Sequence, residues 1–251
     1  MKFFKNKTTR ALIIIVSALA LLGISISHFY YKSINDSIDP RIVEARTLYE
    51  KYNVYAINND FNSIFTLMDS VENIYNSVDH YRNSFEVGVL YNNRAASYLT
   101  MTIYSQDMDS IVKDSIFLLA DIAVNKSIEI YEKWLTLYKD KSLVEVQQIV
   151  SNDFFAGLES YSEEKKDKFM GSRIKEIQEA QTETERRLSV AYTNLGIINR
   201  YKLQYEAAAN YYKKAIDLWD KNLTAENNLN ILLNRPLKKR NFIQKMFPDT
   251  R

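Results

Sequence analysis

Apolar residues recur along most of this chain at intervals of three and four. Ile42, Ala45, Leu48, Tyr49 and Tyr52 form one such run. Ile64, Leu67, Met68, Val71 and Ile74 form a second, and Leu119, Ile122, Ala123, Ile130 and Trp134 a third. This spacing keeps one side of a 3.6-residue helix apolar, and alternating, strand-like stretches are few. No proline interrupts the chain between Pro40 and Pro236, so helices joined by short turns are expected throughout. Asp39 and Pro40 have the chemistry of a helix start: a carboxylate to cap the first amides and a ring that presets φ. The fold class read from the pattern is all-α.

One segment departs from this amphipathic pattern. Residues 11–31 are apolar with no formal charge apart from a titratable His28. At about 1.5 Å per residue they reach about 30 Å as a helix, the thickness of a bilayer core. Lys2, Lys5, Lys7 and Arg10 precede the segment without an acid; Lys32 stands alone just after it, with Asp36 and Asp39 nearby. Phe29, Tyr30 and Tyr31 suit the headgroup boundary. The segment reads as a transmembrane anchor, with residues 1–10 cytoplasmic and the bulk of a single-pass protein outside the cytoplasm, periplasmic in a bacterium. A cleavable signal peptide is the rival reading, with Ser25 and Ser27 as the small residues of a cleavage site. Either way the remainder reaches a non-cytoplasmic compartment. Residues 32–40 read as a linker and 41–234 as the helical domain.

The clearest internal pattern runs over 189–222. Tyr192, Leu195-Gly196, Tyr205, Ala208, Tyr212 and Ala215 stand at the spacing of two helices that cross closely. Here the chain resembles a tetratricopeptide repeat. The resemblance implies an α-solenoid of stacked helical hairpins, with Tyr192, Leu195, Gly196, Tyr205, Ala208, Tyr212 and Ala215 as packing residues. One hairpin cannot bury its apolar face alone, so neighbours must stack on it. Residues 223–234 read as the closing helix, with Leu229, Leu232 and Leu233 inward. A weaker copy begins at Val89–Tyr98, which resembles the Asn-Arg-Ala type of first helix; its partner is expected near Ile116–Tyr131, with Ala120, Val124 and Ser127 in the small–medium–small slots, after a longer connection at 105–114. A poorer copy covers 45–75 with Asn59-Asp60-Phe61 at its turn. Residues 165–187, highly charged, are expected as an exposed helix leading into the clear repeat.

Composition narrows the chemistry. The absence of cysteine and the presence of only two histidines remove disulfides and most zinc, haem and thiol chemistry. The five glycines are scattered at 23, 88, 157, 171 and 196, so no Gly-rich phosphate loop exists. A net charge of +2 supplies no general attraction to nucleic acid. His80, the one histidine in the body of the chain, reads as structural. The carboxylate pairs Asp107/Asp109, Glu163/Glu164 and Glu183/Glu185 read as solvated helix faces. No cofactor and no metal is expected. The tail 235–251 carries six cations and one acid, interleaved with Phe242, Ile243, Met246 and Phe247. It fits a surface helix on an anionic membrane or on a partner, or a disordered end.

What remains is binding. In stacked repeats the first helices line a concave face, and the resemblance places Asn92, Asn93, Thr193, Asn194, Ile197, Arg200 and Tyr201 there. The expected function is a non-enzymatic scaffold that binds a protein or peptide in this groove and holds it at the membrane through 11–31. A structural subunit of a cell-envelope complex and a helical envelope hydrolase using a carboxylate pair are the alternatives.

Overall fold

A computed structural model describes residues 36–105 and 107–239. Among them there is no strand. Nine α-helices follow one another: α1 (Val43–Tyr49), α2 (Tyr52–Ile57), α3 (Phe61–Asn76), α4 (Phe85–Tyr104), α5 (Ser110–Tyr138), α6 (Leu143–Ser151), α7 (Glu163–Tyr201), α8 (Tyr205–Leu218) and α9 (Leu223–Leu232). The expected anchor at 11–31 lies outside the described residues; within them, no helix is long and apolar enough to cross a membrane.

Local chemistry sets most boundaries. Asp39 accepts from the Arg41 amide at 3.0 Å, with Pro40 opening a 3-10 turn behind it. Asp60 caps α3 through the Ser63 amide at 3.1 Å. Ser142 and Glu145 form a reciprocal capping box on α6. The chain reverses at Asn59 and at Leu203, both with φ near +55° (53° and 59°). Asparagine enters that left-handed region readily. Leucine does so at a cost of about 1–2 kcal/mol.

The helices pair as three hairpins, α1–α2 with α3, α4 with α5, and α7 with α8, closed by α9. Ala120, Val124 and Ser127 are all fully buried against α4, as expected, but α5 is longer than the expected 116–131 at both ends. The inward residues of α9 are Ala225 and its cap Asn222; Leu229 and Leu232 are half-buried and Leu233 is exposed, which corrects the expected inward leucines. Asn222 takes the inward role because its amide nitrogen reaches Ser189 Oγ (2.8 Å) and Thr193 Oγ1 (2.9 Å) while its oxygen caps the Ala225 amide.

The charged stretch 165–187 is not an exposed lead-in. It forms the first half of α7, and Phe169, Arg173, Ile174, Ile177, Ala180 and Thr184 are buried along one side. The reason is tertiary. Helix α6 and the segment carrying Phe154 and Leu158 fold back over it with Trp134 and Tyr138 of α5, making a separate apolar cluster. Most of the lysines and glutamates lie on the other sides, in pairs such as Glu164–Lys168 at 2.8 Å.

Beneath α1, α3 and α4 lies a buried charged network. Arg173, only 2% exposed, reaches Glu86 at 2.6 Å and Glu176 at 3.3 Å, and Arg46 grips Glu176 with two bonds of 2.7 and 2.8 Å. The Arg173 guanidinium also lies over the Tyr81 ring, 4.4 Å from its centre. His80 joins from one side: Arg173 Nε donates to His80 Nε2 at 3.2 Å, and His80 Nδ1 lies 2.7 Å from Asp153. Arginine is always a donor, so Nε2 is the unprotonated nitrogen and Nδ1–H donates to Asp153. The ring is neutral. Burial, then the charge of Arg173, hold its pKa below 6.5 against the opposing pull of Asp153. A depressed folded pKa contributes stability above 6.5 that is lost as pH falls through the folded value. His80→Gln is therefore expected to flatten the pH dependence of the melting temperature just below 6.5, measurable by thermal scans from pH 7.5 to 5.

Candidate interaction surface

The two larger hairpins are tied to the helices before them through the same residue types. Tyr91 of α4 donates its hydroxyl to Glu72 of α3, and Tyr192 of α7 donates to Glu132 of α5. Asn93 donates to Tyr49 Oη at 2.6 Å, and Asn194 donates to Asn92 Oδ1 at 3.0 Å. Within each hairpin a serine joins the two helices, in opposite senses: Ser127 Oγ of α5 donates to the Gly88 carbonyl of α4 at 2.8 Å, whereas Ser189 Oγ of α7 donates to the Ala215 carbonyl of α8 at 2.6 Å. Each first helix is thus tied to the preceding first helix by an asparagine and to the preceding second helix by a tyrosine.

This use of the asparagines corrects the expected groove. Asn92, Thr193 and Asn194 are buried, because the first helices pack edge to edge and each side chain is consumed by a neighbour. Asn93 is half-buried on Tyr49, and Ile197 is half-buried against the core. Of the packing residues, Tyr192, Leu195, Gly196, Ala208, Tyr212 and Ala215 are buried where the pattern put them. Tyr205 is not: it is 54% exposed at the start of α8.

Two of the expected binding residues stay accessible. Arg200 is half-buried, bonding Asn228 Oδ1 at 3.1 Å, and Tyr201 is 42% exposed, its ring stacked on Phe117 with centres 5.2 Å apart. They line an open depression of about 520 Å³ together with Leu203, Tyr205, Ile231 and Leu232. Lys202 reaches Asp121 at 2.5 Å, and Phe117 stacks on Tyr201, so the first half of α5 stands beside this turn. That half of α5 exposes Ile111 (75%), Val112, Leu118, Leu119 and Ile122. No family model, curated protein or solved structure matches this chain.

An apolar edge of this extent is unusual on a surface that water alone must solvate. Leu203 is the most telling residue: apolar, 71% exposed and in a left-handed turn. Strain of that kind persists where something other than stability selects it. Sequence reasoning missed Ile111, Leu118, Leu203 and Ile231. A signal for the first two was present. Helix α5 carries a buried stripe at Ile116, Ala120, Ala123, Val124 and Ser127, and a second apolar stripe at Ile111, Leu118 and Ile122, whereas packing needs only one.

The carboxylates considered for chemistry are used structurally. Asp109 caps α5 through the Ile111 amide at 2.8 Å; Glu163 pairs with Lys166, Glu183 with Arg186, and Glu185 with Lys139. Burial pushes the Glu86 carboxyl up, but Arg173 beside it wins and holds it below 4.5. Among the described residues no cluster of histidines and carboxylates has the form of a metal site.

Proposed function

We propose that this chain is an anchored helical-repeat scaffold of the tetratricopeptide type whose turn-end apolar edge docks a protein partner outside the cytoplasm. The repeated tyrosine and asparagine ties between successive hairpins support the stacked-repeat reading. The exposed apolar edge from α5 to Tyr201, Leu203 and Tyr205 carries the binding reading, since burying it against apolar side chains of a partner removes that surface from water. Arg200 and Tyr201 supply directional polar ends within it. The double variant Arg200→Ala/Tyr201→Ala is expected to melt within a few degrees of wild type and to lose most partner recovery in a crosslinking pull-down from intact membranes. Undiminished recovery by the folded variant would remove this edge as the docking surface.

Leu203→Gly separates strain from binding. Relief of the left-handed leucine outweighs the added chain freedom of glycine, so the variant is expected to melt at or slightly above wild type. Its partner recovery is expected to fall, because the exposed leucine side chain is gone. For topology, a reporter enzyme active only outside the cytoplasm, fused after Arg251, is expected to be active; activity of a cytoplasm-only reporter there would overturn the anchored orientation.

A further inference from the structure

A second feature, away from the turn-end edge, concerns charge. Arg46 and Arg173 are matched by Glu176 and Glu86. Arg187 of α7 is not matched: no carboxylate pairs with it among the described residues, and its Nη1 is fully buried without a hydrogen-bond partner. Its guanidinium lies over the Phe85 ring, 5.2 Å from the centre. Arg187 and Phe85 line a cavity of about 170 Å³ completed by Tyr49, Val71, Tyr75, Val89, Leu90 and the Arg173-held Glu86. Two other buried donors without partners lie close by, Trp134 Nε1 of α5 and Thr184 Oγ1 of α7. Trp134 packs edge-on against Phe85, a lining residue of the cavity, and Thr184 lies one turn before Arg187 on α7.

Arg187 as a whole is half-buried, but a guanidinium N–H buried without an acceptor is costly, and an anionic acceptor entering the cavity would satisfy it. The cavity is too large for one water, whose share of liquid volume is about 30 Å³, and comparable with the roughly 150 Å³ apolar cavity that holds a benzene ring. We infer that this cavity binds a carboxylate carried on a small apolar or aromatic body, with Arg187 as the counter-charge and Tyr49, Tyr75, Phe85 and Val89 around the apolar part. Glu86 does not repel such a ligand decisively, because Arg173 already neutralises it at 2.6 Å. The ligand is either a free small acid or the final residue of a peptide chain, since both present the same group. The inference does not depend on the turn-end docking surface, which lies at the other end of the α7 repeat helix.

The test uses the full chain in detergent micelles and calorimetric titration. Phenylacetate is compared with phenylacetamide, its neutral isostere, and a short peptide ending in phenylalanine is compared with its carboxamide. Phenylacetate or the free-acid peptide is expected to bind at least tenfold more tightly than its amide; a preference confined to the small acid identifies a free metabolite-sized ligand, and one confined to the peptide identifies a chain terminus. Arg187→Gln is expected to abolish the preference and Arg187→Lys to keep part of it. Arg82→Gln, at an exposed ion pair with Asp79, is expected to leave it intact. Equal binding of acid and amide to the wild-type chain, or no binding of any of the four probes, would overturn the inference even if Arg187→Gln fails to fold.

Discussion

Replacing Arg173 by leucine is expected to destabilise the chain by about 3–5 kcal/mol, the usual cost of stranding a buried ionic partner. Glu86 would lose its nearest cation and Glu176 one of its two. His80 would lose its donor at Nε2. The double variant Arg173→Leu/Glu86→Leu should recover much of the loss, because apolar replacement of both partners removes the stranded charge. The pH dependence adds a second check. In the wild type the Glu86 carboxyl lies below 4.5, so its contribution is full above 4.5 and fades as pH falls through the folded value. In Arg173→Leu, burial alone pushes that carboxyl up. Protonation then relieves the variant. Urea denaturation at pH 7 and pH 4 should therefore show the gap between wild type and variant narrowing in acid. A gap that widens would mean that Glu86 is not the group left stranded.

The second large effect lies where helices cross most closely. A Cβ built on Gly196 would stand 2.5 Å from the Tyr212 ring, and one on Gly88 would run into the Tyr131 ring; both rings are fully buried and have nowhere to turn. Helix propensity favours alanine over glycine by about 1 kcal/mol. The clash opposes it, and overpacking costs about 1–3 kcal/mol or more. Gly88→Ala and Gly196→Ala should both lower the melting temperature, and the leucine variants should lower it further. Gly171, also in a helix, has nothing within 4 Å of its would-be Cβ, so Gly171→Ala should raise it. Truncating Tyr212 to leucine should remove most of the penalty at Gly196, and the coupling energy of that cycle measures the contact.

These glycines also show how far a linear pattern reaches. Gly196 was legible because its own repeat supplies Ala208, Tyr212 and Ala215 at fixed spacing. Gly88 was not, because it stands one residue before the Val89–Tyr98 pattern, although its tyrosine, Tyr131, lies within the expected partner helix. The asparagines failed for another reason. Their spacing identifies the slot on the first helix, but whether that slot faces solvent depends on how closely the next helix approaches. Here it approaches within hydrogen-bond reach, and Asn194 meets Asn92 instead of a ligand. Arg200 and Tyr201 stayed accessible at the end of α7, with Phe117 of α5 stacked on Tyr201.

By itself the sequence determined that the described residues are helical, where several helices begin, and which small and aromatic residues meet inside a hairpin. Those are properties of neighbours in the chain: periodicity, a capping carboxylate at Asp39 or Asp60, the missing prolines. Tertiary structure alone decided the rest. It buried Arg173 between Glu86 and Glu176, left Arg187 without a carboxylate partner among the described residues, turned 165–187 from a solvated helix into one wall of a core, and left the outer stripe of α5 exposed. Each of these depends on which distant segment lies alongside, and the charge and polarity of a residue carry no record of that. A helix face advertises that it is apolar or charged; only the packing of α6, α7 and α9 around it determines whether water, a neighbour or a partner meets it.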